Sequence, residues 1–136
     1  MIVCDTGPLY AAADFSDAHH NDFSELLNGL RRPLIVPVSV VVETSYLIEH
    51  RLGPSAEARF LTQLAGGDFQ VEQLSPEDLR RAAELVGQYA DLPLGAVDAS
   101  VVAVAERLGA SEIATLDRRH FSIVRAAHVG TLTLLP

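Results

Sequence analysis

The sequence predicts an α/β fold in which helices cover both faces of a mostly parallel sheet. Short apolar segments alternate with segments whose apolar residues have helical spacing, and this alternation is typical of parallel sheets that are buried on both sides. The 136 residues are 49% hydrophobic and 21% charged, a balance that favours a folded domain over a disordered chain. We therefore expect one three-layer α/β/α domain over residues 1–136.

Five segments are predicted to form strands because they are short, apolar and bounded by turn residues. In chain order they cover residues 2–5, 34–37, 69–74, 112–116 and 131–135. Parallel strands are joined by helices, so each connection between them is expected to contain at least one. The sheet should therefore lie at the centre of the fold.

Helices are predicted between these strands from apolar spacing and from residues that begin or end helices. The first begins at Thr6, and the others cover residues 17–30, 39–52, 54–64, 76–89 and 96–108. Ser39 and Ser75 are the expected caps of the helices that follow them. Gly53 and Gly109 are expected to end the helices before them.

Charge and cysteine content exclude several classes of protein. The net charge of −8 argues against a general nucleic-acid coat, although carboxylates that hold cations would make the local field attractive to phosphate. Cys4 is the only cysteine, which forms no internal disulfide and favours a reducing, cytoplasmic location. No apolar run approaches the roughly 20 residues of a membrane helix, so no membrane partner is expected.

Two predicted strands have an acidic residue at their carboxyl end or directly after it. Asp5 ends the first strand and Asp117 follows the fourth. Ligands of open parallel sheets bind at the carboxyl ends of the strands, where the strand order reverses. If these two strands are neighbours, about 4.8 Å apart, both carboxylates can share a cation. The alternative is that each acid only caps the next helix or starts a turn.

Two further acids are predicted to lie on apolar helix faces. Glu43 shares a helical stripe with Val40, Tyr46 and Leu47, and Asp98 shares one with Val101, Val102 and Ala105. A carboxylate that faces a core without a partner loses several kcal/mol of hydration. A bound metal ion would compensate for that loss, whereas the helix N-terminus explains only the sign of Asp98.

Four carboxylates without clustered thiols or imidazoles indicate a hard cation, Mg²⁺ or Mn²⁺. Zinc is not expected, because the histidines at positions 19, 20, 50, 120 and 128 have no ligand spacing. Each of them is predicted to be a surface or core histidine. Nucleotide-binding glycine motifs and the serine-hydrolase elbow are absent from the sequence.

Four motifs, in order along nearly the whole chain, resemble those of the PIN-domain ribonucleases, and within them the VapC-type toxins of bacterial toxin-antitoxin pairs. The motifs are Asp5-Thr6-Gly7-Pro8-Leu9, Pro37-x-Ser39-Val40-Val41-x-Glu43, Gly95-x-x-Asp98-Ala99-x-Val101-x-Ala103 and Thr115-Leu116-Asp117-Arg118-Arg119-His120-Phe121. The resemblance implies a sheet ordered 3-2-1-4-5, which makes the first and fourth strands neighbours. It also implies Mg²⁺- or Mn²⁺-dependent cleavage of RNA, a homodimer, and inhibition by a cognate antitoxin protein that closes the site.

The resemblance also implies roles for individual residues. The family's acidic positions, which bind metal and catalyse, correspond to Asp5, Glu43, Asp98 and Asp117, and its supporting hydroxyl positions to Thr6 and Thr115. Arg118 and Arg119 are expected to bind the RNA backbone, with a solvated pair in a turn as the alternative.

Three other functions share some of these residues. A phosphotransfer domain also has an aspartate after its first strand, but receiver domains need a lysine, which this chain lacks, and Asp-x-Asp phosphatases need an acid where Gly7 stands. A non-catalytic module that binds RNA or protein could use the same acids for a structural ion. An RNA-processing PIN nuclease without an antitoxin is the third alternative.

Overall fold

Five short parallel strands form one central sheet in the computed structural model, which describes residues 1–136. The strands are β1 (Ile2–Cys4), β2 (Leu34–Pro37), β3 (Phe69–Glu72), β4 (Glu112–Ala114) and β5 (Thr133–Leu135). Their order is β3-β2-β1-β4-β5 and every pairing is parallel. All four residues of β2 are buried, as expected for a strand covered on both faces. The predicted fold class and strand order are confirmed.

Helices precede, connect and cover the strands. They are α1 (Thr6–Ala13), α2 (His20–Gly29), α3 (Val38–Leu52), α4 (Pro54–Ala65), α5 (Pro76–Gln88), α6 (Ala96–Leu108) and α7 (Arg118–Ile123). Helix α6 contacts both β1 and β2, and α3 contacts β2 and β3. None of the helices combines the length and apolar composition needed to cross a membrane.

Three local predictions differ from the structure. Helix α2 begins at His20 because the Asp17 carboxylate accepts a hydrogen bond from the His19 N–H at 2.9 Å and holds a turn before it. Ser39 is not a cap, since α3 starts at Val38. Helix α7 was not predicted from the sequence. Phe121 is its only buried residue, and a single buried apolar residue makes no helical stripe.

The cap at Ser75 is confirmed. Its hydroxyl accepts from the Asp78 N–H, and the Asp78 carboxylate accepts from the Ser75 N–H, both at 3.0 Å. This reciprocal pair satisfies two backbone donors that the start of α5 would otherwise leave without partners.

Arginine pairs fix the position of α6 against α5 and β3. The Arg107 guanidinium donates to both oxygens of Asp78 at 3.1 Å and to Glu72 at 3.0 Å, and Arg81 donates to Glu106 at 2.9 Å. Burial alone would raise the pKa of Asp78, but the hydrogen bond and charge of Arg107, together with the hydrogen bonds from Ser75, outweigh it and hold the pKa below its ordinary value. These contacts hold the helix that carries Asp98.

Candidate metal site at the carboxyl edge of the sheet

The strand order reverses between β1 and β4, and the candidate site lies at their carboxyl ends. Cys4 pairs with Ala114 in the parallel register, so Asp5 and Thr115 follow the two strands side by side. The Thr115 hydroxyl donates to Asp5 Oδ2 at 2.9 Å, and the Asp117 N–H donates to the same hydroxyl at 2.9 Å. Thr115 therefore links the two segments that carry these acids.

Gly7 allows this close approach. A Cβ atom built at Gly7 would lie 3.2 Å from Leu116 Cβ and Cδ1, closer than side-chain atoms normally pack. Glycine at this position lets the 115–117 segment lie directly over the first turn of α1, beside Asp5.

Asp98 and Asp117 reach the site from two helix starts. Asp98 lies in the first turn of α6 and is half-buried. Asp117 precedes α7 and caps it, because its Oδ1 accepts from the His120 N–H at 2.9 Å. Both positions place a negative charge where the helix dipole stabilises it.

His120 joins these two carboxylates, which the sequence did not predict. Its Nδ1 lies 2.8 Å from Asp98 Oδ2 and 2.9 Å from Asp117 Oδ2. The structure therefore places this half-buried histidine among the predicted acids, whereas the sequence analysis assigned it no contact with them. The available signal was the three-residue spacing from Asp117, which brings two side chains together on a helix. That signal depends on α7, which was not predicted.

The position of Glu43 differs from the one that the sequence predicted. It is exposed on α3, while the buried residues of that helix are Val40, Thr44 and Ile48. The expectation that Glu43 faces the core with Tyr46 is wrong, since the helix is rotated by about one residue. The Glu43 charge still acts on the site, because it raises the pKa of both Asp5 and Asp98.

Ser39 contributes to this arrangement one turn before Glu43. Its hydroxyl lies 2.6 Å from that of Ser100 and donates to it, because the Ser100 hydroxyl donates its own proton to the Val97 carbonyl at 2.7 Å. This contact joins the first turn of α3 to the first turn of α6. The helices that carry Glu43 and Asp98 are thus held together beside the sheet.

Burial and mutual repulsion shift the ionisation of these acids. Burial raises the pKa of Asp5 to about 6; the charges of Asp98 and Glu43 add to this rise, while the Thr6 N–H and the Thr115 hydroxyl oppose it. Burial also raises the pKa of Asp98, with smaller contributions from Asp117 and Glu43, and the His120 hydrogen bond acts against it. The protein thus concentrates negative charge that it only partly neutralises.

The residues fit a divalent cation. Carboxylate oxygens are preferred ligands of hard cations, and Asp98, Asp117 and His120 offer ligand atoms that all lie within 4.8 Å of one another. Thr6 is buried beside Asp5, and its hydroxyl oxygen has no hydrogen-bond partner within the protein. A buried polar atom of this kind is satisfied by a bound water or ion.

The two predicted arginines differ in their surroundings. Both are exposed, but the Arg118 guanidinium donates to the carbonyl of Pro136. Arg118 therefore ties α7 to the segment after β5. The Arg119 side chain makes no hydrogen bond or ion pair within the protein and is free to contact a ligand.

Comparison with known proteins agrees with this arrangement. The model of the PIN domain matches residues 2–127. Ribonuclease VapC26 of Mycobacterium tuberculosis is 36% identical over 135 residues, which cover 99% of this chain and 100% of that protein. The chain belongs to the PIN-domain family.

Solved structures share the fold. The VapC20 crystal structure from Mycobacterium tuberculosis, described as a sarcin-ricin loop cleaving toxin, superposes with a TM-score of 0.78 at 22% identity, covering 83% of this chain and 87% of that one. A toxin-antitoxin complex from Klebsiella pneumoniae superposes with a TM-score of 0.71 at 19% identity, covering 93% and 94%. At these identities the likeness concerns the fold.

The raised pKa of Asp5 predicts how stability varies with pH. Because the folded state holds this proton more tightly than the unfolded chain, the stability that the raised pKa contributes is complete below the ordinary aspartate pKa of 3.8 and is lost as pH rises through about 6. The loss is about 3 kcal/mol. In EDTA, Asp5→Asn should remove this pH dependence and raise the melting temperature at pH 7.5.

The same variant should reduce the stabilisation that Mg²⁺ or Mn²⁺ provides, which for the wild type is about 2.7 kcal/mol at 100 times the dissociation constant. Asp68→Asn is the matched control, since Asp68 is exposed and precedes β3 at the opposite edge of the sheet. Lower metal-free stability for Asp5→Asn together with an unchanged metal effect would make Asp5 a purely structural residue.

Proposed function

We propose that this PIN-domain protein is a metal-dependent ribonuclease that acts as the toxin of a toxin-antitoxin pair. The observation that carries the proposal is the gathering of Asp5, Asp98 and Asp117 at the strand-order reversal, with the Glu43 charge near enough to raise the pKa of Asp5 and Asp98. The relationship to Ribonuclease VapC26 supports the same activity. The unit that performs it is proposed to be one domain spanning residues 1–136.

The proposed cofactor is Mg²⁺ or Mn²⁺, held by the four acids. A bound divalent ion supplies an activated water and neutralises charge at the phosphate. Asp5 is the most buried of the four acids, and the Thr115 hydroxyl holds its Oδ2 in place. Thr6 is proposed to support the site through its unpartnered hydroxyl.

Charge around the site explains how an acidic protein binds RNA. Each divalent ion offsets two negative charges, so the carboxyl edge becomes attractive to phosphate only when it is loaded. Arg119 and, to a smaller extent, Arg118 lie on α7 directly after Asp117. We propose that they contact the RNA backbone beside the scissile phosphate, since arginine forms bidentate bonds to phosphate oxygens.

A cognate antitoxin protein is the proposed partner, supported by the resemblance of the fold to the Klebsiella pneumoniae toxin-antitoxin complex. The test is to add the product of an adjacent gene to a cleavage reaction and to measure inhibition.

The buried free thiol of Cys4 suits the reducing cytoplasm, which we propose as the location. Fractionation of cells that express the protein checks this.

A homodimer is also proposed, through the exposed faces of α3 and α4. Val42 is 65% exposed, Tyr46 is 64% exposed and Leu61 is 47% exposed, and the three line one shallow groove. Clustered apolar side chains of this kind are typical of protein interfaces. The patch lies on the helix that carries Glu43, so a second copy would cover surface next to the site.

Cleavage of RNA by the purified protein tests the proposed activity. Purified protein should cut total RNA into specific fragments with Mg²⁺ or Mn²⁺ and not with EDTA. Asp98→Asn should reduce the rate at least about 100-fold, since even the outer-shell partner of a metal ligand contributes about 10- to 100-fold in metal affinity or activity. Asp68→Asn should retain the wild-type rate. RNA that is bound without being cleaved would favour the non-catalytic binding module. A wild-type cleavage rate in Asp98→Asn would show that Asp98 is not part of the site.

The arginines are tested by salt dependence in the uncleaving Asp98→Asn background. Arg119→Ala should reduce the log-log slope of RNA binding by about 0.7, the value for one phosphate contact on a single strand. Adding Arg118→Ala should reduce it further. Arg80→Ala on α5 is the control, because Arg80 is exposed and pairs with Glu77. An unchanged slope in the double variant would assign both arginines to the solvated surface.

The dimer is tested by sedimentation. Tyr46→Asp places a charge in the centre of the apolar patch and should convert the dimer to a monomer while the circular dichroism spectrum stays unchanged. Leu79→Asp is the matched control, since Leu79 is 57% exposed on α5, outside the patch. A wild-type protein that sediments as a monomer at all concentrations contradicts the proposal.

A further inference from the structure

The carboxyl-edge site contains a nitrogen donor as well as oxygen donors. His120 Nδ1 lies 2.8 Å from Asp98 Oδ2 and 2.9 Å from Asp117 Oδ2. We propose that His120 is a direct metal ligand through Nδ1, and that this nitrogen makes the site prefer Mn²⁺ over Mg²⁺. The inference rests on the proposed metal-dependent function and deepens it by adding one ligand and a choice between two ions.

The distances match a coordination shell. Adjacent ligands of an octahedral ion with bonds of about 2.1 Å lie about 3 Å apart. The spacing of Nδ1 from each carboxylate oxygen is close to this value, and all three atoms lie within 4.8 Å of one another. An ion can therefore bind the three atoms with small changes in side-chain position.

The imidazole is held in place by its own helix. The His120 N–H donates to Asp117 Oδ1, and the next residue, Phe121, is fully buried in the core. The side chain of His120 is 20% exposed, so solvent reaches it. No arginine pairs with Asp98 or Asp117, so His120 is the only basic side chain that contacts them.

Coordination requires that Nδ1 present its lone pair, with the ring proton on Nε2. In the metal-free protein the same nitrogen can instead donate a hydrogen bond to the carboxylates. The ring thus occupies the space between Asp98 and Asp117 in either state. Metal binding would exchange a hydrogen bond for a coordinate bond at the same nitrogen.

The ligand set determines the preference between ions. Mg²⁺ is bound almost entirely by oxygen ligands and keeps several waters. Carboxylate ligands suit both ions, but Mn²⁺ is a transition metal and accepts an imidazole ligand more readily than Mg²⁺ does. A site with one nitrogen ligand therefore favours Mn²⁺ more strongly than an all-carboxylate site does.

Calorimetric titrations with MnCl₂ alone and MgCl₂ alone test the preference on the full chain. His120→Asn is the main variant, because the asparagine amide oxygen takes nearly the place of Nδ1 and supplies an oxygen ligand. The ratio of the Mg²⁺ to the Mn²⁺ dissociation constant should fall at least about tenfold in this variant, mainly through weaker Mn²⁺ binding. Asp98→Asn is the control and should weaken the binding of both ions, since it removes a negative charge that attracts both.

Pulsed electron paramagnetic resonance of Mn²⁺ bound to the wild-type protein tests coordination directly. A directly bound imidazole should give ¹⁴N modulation, which should disappear in His120→Asn. A wild-type spectrum without ¹⁴N modulation, or an unchanged ion ratio in a folded His120→Asn, overturns the inference and leaves the proposed nuclease intact. A wild-type protein that binds neither ion overturns both. If His120→Asn does not fold, the wild-type spectrum alone decides.

Discussion

The parallel pairing of β1 with β4 is the constraint on which the candidate site depends. Hydrogen bonds between these strands continue one residue past them, where the Asp5 N–H donates to the Ala114 carbonyl at 2.9 Å. That bond sets Asp5 beside Thr115, and the threonine hydroxyl then orients the carboxylate. A one-residue slip in this register would send every side chain of the strand to the opposite face. The core residues Val3 and Ile113, both fully buried, resist such a slip.

The fold tolerates the gathered charge through several partial compensations. Helix starts, the Thr115 hydroxyl and one imidazole each stabilise part of it, and no arginine forms an ion pair with Asp5. In contrast, the acids of α5 and α6 far from the edge are paired with Arg81 and Arg107. The chain therefore has arginines available but does not place them among the four acids, which leaves room for cations from solvent.

The alternation of strands and helices was predictable because it follows from apolar patterns that extend over many residues, whereas the strand order came from the resemblance to the PIN-domain family. The sequence also predicted which residues follow β1 and β4. It did not predict which face of α3 is buried. The helix face that contains Glu43 and the face that contains Thr44 are offset by one position, and both contain apolar residues. Helix α7 has only six residues, too few for a periodic signal. The contact of His120 with Asp98 depends on tertiary packing between α6 and α7, which no local pattern encodes.

The order of the strands in the sheet also determines when the site can form during synthesis. β1 is among the first segments made, but its neighbour β4 is among the last, so one edge of β1 stays open while most of the chain is translated. Until β4 and α7 emerge, Asp5 lacks Thr115, and Asp98 lacks both Asp117 and His120. Long-range pairing of this kind is formed late and slowly. An incomplete chain therefore carries three of the four acids without the geometry that would make them dangerous to the RNA of the cell that is translating it.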